Sequence, residues 1–277
     1  WDYIKSVLLG ADSTGAISIE RTPNSVGTEV LQTQPPLLAW ATAENYQACS
    51  ARAGGAECME RLAFAFPRLE AYIRWDMTHR RDRTNRTQLY FWTKGTESGM
   101  DNSQRWDFAP GRGEKASKTF PSLLVVDLSV FVAREAALLS KFATTLNNSV
   151  AHSRWAAVST SITKDVHELL WDNDNGLYMD LFSGPTPKPG FSSIKAVTGL
   201  MPLWLPNLPK ERLSKLLVAL NDETRGFNAS APLATVALDT DGFSTDMWRG
   251  PMWLNTNWHI ALALLEQGEE ATAIKLL

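Results

Sequence analysis

A nearly all-α, single-domain fold is predicted by three observations. Apolar residues recur at helical spacing along most of the chain, strand signals are few and brief, and the helical stretches come in antiparallel pairs. The first pair spans 34–52 and 56–80. Its opening, Gln34-Pro35-Pro36, suits a helix start because proline is tolerated in the first turn. Leu62, Phe66, Leu69 and Ile73 form an apolar stripe along the second member. The second pair spans 121–147 and 150–171, with Pro121 at its start and Asn147-Asn148 between its members. Asp172-Asn-Asp-Asn-Gly176 then reads as a tight turn into a short hairpin over 177–180. The Gly-, Pro- and Ser-bearing segment 183–193 reads as a loop. Shorter helices are expected at 196–205, 208–221 and 251–266, and a last one starts near Glu269. Nothing marks an internal boundary, so residues 1–277 read as one domain. The helical pattern is still running at Leu277, and the domain is expected to be incomplete at both ends.

Composition narrows the function classes. The hydrophobic fraction of 44% supplies a sizeable core over 277 residues, and the net charge of -3 without basic runs argues against a nucleic-acid surface. No stretch of 18 apolar residues occurs, so no membrane segment is expected in this chain. The eleven Trp either fill a helical core or line a sugar pocket, where flat aromatic faces suit pyranose rings. Cys49 and Cys58 flank a turn and form either a disulfide or two buried thiols. Three N-glycosylation triplets begin at Asn85, Asn147 and Asn228 and lean towards the secretory pathway.

Two long polar loops, 93–118 and 222–250, exceed what helix packing needs, and loops of that length are commonly functional. The first contains Thr96-Glu-Ser-Gly-Met-Asp-Asn-Ser-Gln-Arg-Trp106. Glu97 and Asp101 stand four apart, Gly99 between them permits a sharp turn, and Arg105 follows. Two carboxylates beside an Arg can have their pKa values driven apart, and glycoside hydrolysis needs a carboxylic acid that stays protonated. The same spacing also suits a surface salt-bridge cluster.

Further blocks lend that loop a context. Glu97-Ser-Gly-Met-Asp101-Asn-Ser with Arg105-Trp106 resembles the signature of glycoside hydrolase family 63 and its mannosylglycerate-hydrolase-like relatives, and the related loop of trehalases. Gln34-Pro-Pro-Leu-Leu-Ala-Trp40, Gly199-Leu-Met-Pro-Leu-Trp204 and Met247-Trp-Arg-Gly-Pro-Met-Trp253 with Asn257 resemble further blocks of that family, in the same order. The resemblance implies a six-hairpin α/α toroid and an inverting glycosidase with Asp101 as general acid. It further implies that Gln34, Trp248 and Arg249 hold the sugar and that Glu97 and Arg105 orient the acid and each other. Trp106, Trp253 and Asn257 are counted with them as substrate-binding, the last two standing four apart and so expected on one inward helix face.

The general base of the family is a Glu in a later block. No such block follows Asn257, and Glu266, Glu269 and Glu270 sit in a solvated helical context. The base is therefore expected beyond Leu277, and residues 1–277 alone are expected to be inactive. The resemblance implies an oligosaccharide or small glycoside as the partner, an α-glucoside, an α-mannoside or trehalose. No cofactor is implied, and no His/Cys cluster has metal spacing. His259 reads as packing or surface. A catalytically inactive carbohydrate-binding relative of the same fold is the competing reading.

Overall fold

The computed structural model describes residues 1–19, 32–52, 55–107, 123–183, 190–229 and 232–277. They form eight α-helices: α1 (Asp2–Leu9), α2 (Leu38–Arg52), α3 (Gly55–His79), α4 (Val126–Thr145), α5 (Ser149–Leu169), α6 (Lys210–Asn221), α7 (Leu254–Glu266) and α8 (Glu270–Ile274). Five two-residue strands accompany them: β1 (Leu123–Leu124), β2 (Trp171–Asp172), β3 (Leu177–Tyr178), β4 (Leu181–Phe182) and β5 (Gly190–Phe191). The chain divides into two compact units, residues 1–81 with 131–162, and residues 82–130 with 163–277.

In the first unit the stripe foreseen on α3 is the packed one, with Leu62, Phe66, Leu69 and Ile73 all buried. The helix runs on through Pro67, which removes one backbone donor. Cys49 in the last turn of α2 and Cys58 in the first turn of α3 are joined as a disulfide, resolving the alternative left open by their spacing. Closing so short a loop is worth about 2–3 kcal/mol on the chain-entropy account. Glu70 of α3 ties α5 down by accepting from the Trp155 indole at 2.5 Å and pairing with Arg154.

Pro35 and Pro36 lie just before α2, not inside its first turn. The start of α2 is instead held from α4. The buried Glu135 accepts the Ala39 and Trp40 amides at 2.6 and 2.9 Å, so a distant carboxylate satisfies donors that a helix start leaves open. Burial pushes the Glu135 carboxyl up to about 8, with the two amides and Arg134 pulling the other way. A raised folded-state pKa means that folding favours the protonated group. The stabilisation is full below the unfolded value of about 4.5 and is lost as pH rises through about 8. The melting temperature of the wild type should therefore decline, relative to Glu135→Gln, between pH 5 and 8. Parallel melting curves for the two proteins would refute this.

In the second unit the anticipated hairpin is present. β2 and β3 pair antiparallel with Trp171 opposite Tyr178, and Gly176 takes φ 62° in the turn. Asp172 closes that turn by accepting the Asp174 amide at 2.9 Å. The helix expected from 121 begins later, at Val126, because Leu123 and Leu124 pair with Phe182 and Leu181 as strand. Pro121 lies outside the described residues. The segment read as a loop over 183–193 contributes β5, which completes the sheet in the order β1-β4-β5. The helix expected over 196–205 is a 3-10 helix, Val197–Trp204, with all eight residues buried. It packs on α7, where Trp204 meets the ring of His259 at 5.1 Å. His259 is thus a packing residue.

Of the eleven Trp, Trp75, Trp92, Trp106, Trp155, Trp171, Trp204 and Trp248 are buried. Most of the tryptophan content is therefore core. Among the described residues no helix is long and apolar enough to cross a membrane.

Candidate active site

The acid loop is built as two 3-10 turns, Gly95–Ser98 and Gln104–Trp106, with Asp101 between them. Gly99 ends the first turn at φ 72°, a left-handed conformation that L side chains rarely adopt, so the glycine is required for the reversal. Glu97 is fully buried, and its carboxylate accepts the Thr93 amide and hydroxyl at 2.7 and 2.6 Å. Trp106 is buried as well, with its indole donating to the Met100 carbonyl at 2.7 Å. Asp101 itself is exposed.

Beneath the loop lies a charged triad. Arg105 is 1% exposed and is gripped by Asp127, at 2.8 and 3.0 Å, and by Asp180, at 2.7 and 3.3 Å. One cation between two carboxylates leaves a net negative charge, and the start of α4 offsets it. The Val126 amide donates to Asp180, the Leu128 amide to Asp127, and the Trp92 indole adds a third donor. The positive end of the α4 dipole points at the same carboxylates. Burial by itself lowers the Arg105 pKa, but the two carboxylates outweigh it and raise it, so the guanidinium stays charged. Burial raises the Asp180 pKa against the pull of Arg105. Trp106 packs over the Arg105 guanidinium at 4.8 Å.

A clasp joins the acid loop to the second long loop. The Asn102 side chain accepts the Trp248 amide and donates to Asp246, each at 2.9 Å. Arg249 grips Asp107 at 2.6 and 3.1 Å and donates to the Asn102 carbonyl at 3.1 Å. Gln104 donates to the Asp241 carbonyl. The hydrogen bond to Asp107 raises the Arg249 pKa, against the opposing effect of burial. The second loop is itself taut. Met247 has φ 38°, and the Gly250 backbone passes so close to the Ser244 carbonyl that a Cβ would lie 2.1 Å from it. Such strain persists where the surroundings over-determine it. Trp248 stacks on Trp253 with ring centroids 4.1 Å apart.

Asn102→Ala should release both side-chain bonds of the clasp, at a cost of roughly 1–3 kcal/mol. Asn102→Asp should cost more, because it sets a second carboxylate against Asp246. Urea unfolding of the three proteins checks the order, and equal stabilities would remove the clasp from the account.

The site residues anticipated from sequence thus separate by role. Trp248 and Arg249 meet the acid loop at Asn102, next to Asp101, and Trp253 stacks on Trp248. Glu97, Arg105 and Trp106 are buried, Glu97 bonded to Thr93 and Arg105 paired with Asp127 and Asp180. Asn257 is buried, and its amide is taken up by the Leu233 amide and carbonyl and by the Trp253 carbonyl. Gln34 belongs to the other unit, where it is exposed and its carbonyl accepts from the Tyr72 hydroxyl at 3.0 Å. Sequence reading missed Asp127, Asp180, Asn102 and Asp107. Two of them carried a local signal: Asn102 stands inside the quoted motif, and Asp127 is a carboxylate set within the apolar run 123–132. A groove of about 510 Å³ between the 173–176 turn and α6 contains none of these residues. Among the described residues no group of His, Cys, Asp and Glu is arranged to hold a metal.

Comparison with known proteins gives this geometry a class. The family described as the mannosylglycerate hydrolase MGH1-like glycoside hydrolase domain matches residues 1–277. The mannosylglycerate hydrolase of Thermus thermophilus is 26% identical over 291 residues, covering 88% of this chain and 67% of the relative. The crystal structure of the family 63 mannosylglycerate hydrolase from another strain of Thermus thermophilus, in complex with glucose, superposes with a TM-score of 0.79. It is 23% identical, over 99% of this chain and 76% of that one. Neutral trehalase of Saccharomyces cerevisiae superposes with a TM-score of 0.66 at 13% identity, over 88% of this chain and 54% of that one. The fold class is therefore the helical one of the six-hairpin glycosidases, as the motifs implied. The chain belongs to the MGH1-like glycoside hydrolase family.

Proposed function

We propose that the protein is an inverting glycosidase that cleaves an α-linked mannoside or glucoside, with Asp101 as general acid. The observation that carries this reading is the setting of Asp101. It is an exposed carboxylate on a loop fixed from below by the Arg105 triad and fixed laterally, one residue on, by Asn102. An acid so held can meet a glycosidic oxygen without reorganising. Asp101 protonates that oxygen as the C–O bond breaks and the leaving alcohol departs. A water molecule, deprotonated by a carboxylate on the opposite face, attacks the anomeric carbon. In inverting enzymes the two carboxyls stand roughly 6.5–9.5 Å apart to admit that water.

The base is assigned to a Glu outside residues 1–277, since no carboxylate block after Asn257 matches that of the family. Trp248 and Trp253 supply an aromatic wall and Arg249 a polar contact to the sugar, and Gln34 is assigned to sugar binding on motif resemblance alone. Glu97, Arg105 and Trp106 serve the sugar through the loop they support. A single catalytic domain over 1–277 is supported by the one family domain that matches it. Among substrates, mannosylglycerate comes first, because the Thermus relative carries that name.

The test is a panel of α-mannosides, α-glucosides and trehalose, with mannosylglycerate included, offered to residues 1–277 and to the full-length protein. Turnover by the full-length protein alone is expected. Turnover by residues 1–277 would bring the base inside them, with exposed Asp246 the first group to replace. Saturable sugar binding without turnover by either form would favour the inactive carbohydrate-binding relative.

A further inference from the structure

We propose that the protein matures in an oxidising secretory compartment and carries N-linked glycans on Asn85 and Asn147 but not on Asn228. All three begin an Asn-X-Ser/Thr triplet, and the structure separates them.

Asn85 stands at the tip of a turn whose stem is organised by one carboxylate. Buried Asp82 accepts from the Thr84 amide and hydroxyl and from the Thr87 amide and hydroxyl, all within 3.2 Å. That network pins the triplet's Thr87, while Asn85 is exposed and its side chain makes no hydrogen bond among the described residues. Asn147 occupies the equivalent kind of position between α4 and α5. Its neighbour Asn148 takes the inward task, accepting the Ala151 amide at 3.0 Å at the start of α5. Asn147 is left exposed, with its amide unengaged among the described residues. Both residues have positive φ, 56° and 58°, which Asn tolerates better than most residues. Each amide therefore sits at a tight reversal with room for a bulky group.

Asn228 differs. It is half-buried, and its Nδ2 already donates to the Asn221 carbonyl at the end of α6. A sugar on that nitrogen takes one of its two N–H donors and competes with the bond to Asn221.

An independent observation points to the same compartment. The two cysteines of the chain are joined to each other and both are buried, and structural disulfides of this kind persist chiefly in oxidising environments. The Asn Nδ2 attacks C1 of an oligosaccharide carried on a lipid pyrophosphate, the C1–O bond to phosphate breaks, the lipid pyrophosphate leaves with the electron pair, and one amide proton is lost to base. Transfer precedes folding, so the folded structure acts as the filter of what is tolerated. Neither glycan falls on the acid loop or on the Trp248 block.

The test uses the full-length protein isolated from its own cells. Peptide N-glycosidase F treatment in heavy-oxygen water converts each glycan-bearing Asn to labelled Asp, read by peptide mass spectrometry. Label at Asn85 and Asn147, none at Asn228, and a Cys49–Cys58 cross-linked peptide without reduction are expected. Asn85→Asp and Asn147→Asp, secreted from a eukaryotic host, should each remove one glycan-dependent mobility step. Asp keeps the tolerance for positive φ, so folding should be retained. Unlabelled Asn85 and Asn147, label at Asn228, or free thiols in the native protein would each overturn the proposal, whichever variants fold.

Discussion

Asp101→Asn in the full-length protein should lower turnover of an alkyl glycoside by about 10²–10⁴-fold, the usual worth of acid catalysis. Asn has nearly the same size and cannot give up a proton as an acid. The exposure of Asp101 means that the substitution disturbs no buried partner, so unfolding should be unchanged. The informative comparison is between leaving groups. A glycosyl fluoride needs little protonation, so its hydrolysis should fall far less than that of an alkyl glycoside. Equal losses on both substrates would mean that Asp101 binds or positions but does not protonate.

The second large effect is on stability. Arg105→Leu leaves Asp127 and Asp180 buried together with no cation between them. Breaking a buried pair in this way costs about 3–5 kcal/mol, because the stranded charges lose their partner and cannot reach water. The loss should be partly restored by Asp180→Asn in the Arg105→Leu background, which removes one stranded charge and keeps an acceptor for the Val126 amide. Urea titrations of the single and double variants measure both steps. Arg105→Leu with wild-type stability would show that the triad does not hold the loop.

The helices were legible because their signal is local. The apolar stripe of α3 and the Asp172–Gly176 turn are written in neighbouring residues, and both stand in the structure. The start of α4 was not legible, since Leu123 and Leu124 become strand only by pairing with Leu181 and Phe182. Pro121 drew the expected start too early for that reason. The acid loop was legible as a motif, and Gly99 as the residue that turns it. Its supports were legible only in part: Arg105 was visible beside Asp101, but Asp127 and Asp180 reach it from distant segments. Asn257 shows the converse. Its spacing from Trp253 predicted one helix face for both, but α7 starts at Leu254 with Trp253 as its extended N-cap, and the Asn257 amide is used on the Leu233 backbone and the Trp253 carbonyl. Direction along a helix follows from sequence, whereas what waits opposite that face does not.

Inversion at the anomeric carbon is the central expectation, and the stereochemistry of the first product reports on it directly. Proton NMR should follow the full-length protein as it hydrolyses the α-linked substrate, with spectra taken before the anomers equilibrate. The β-anomer should appear first and the α-anomer only later, by mutarotation. An α-anomer formed first would contradict the account, since it requires two displacements and a covalent intermediate in place of a single attack by water.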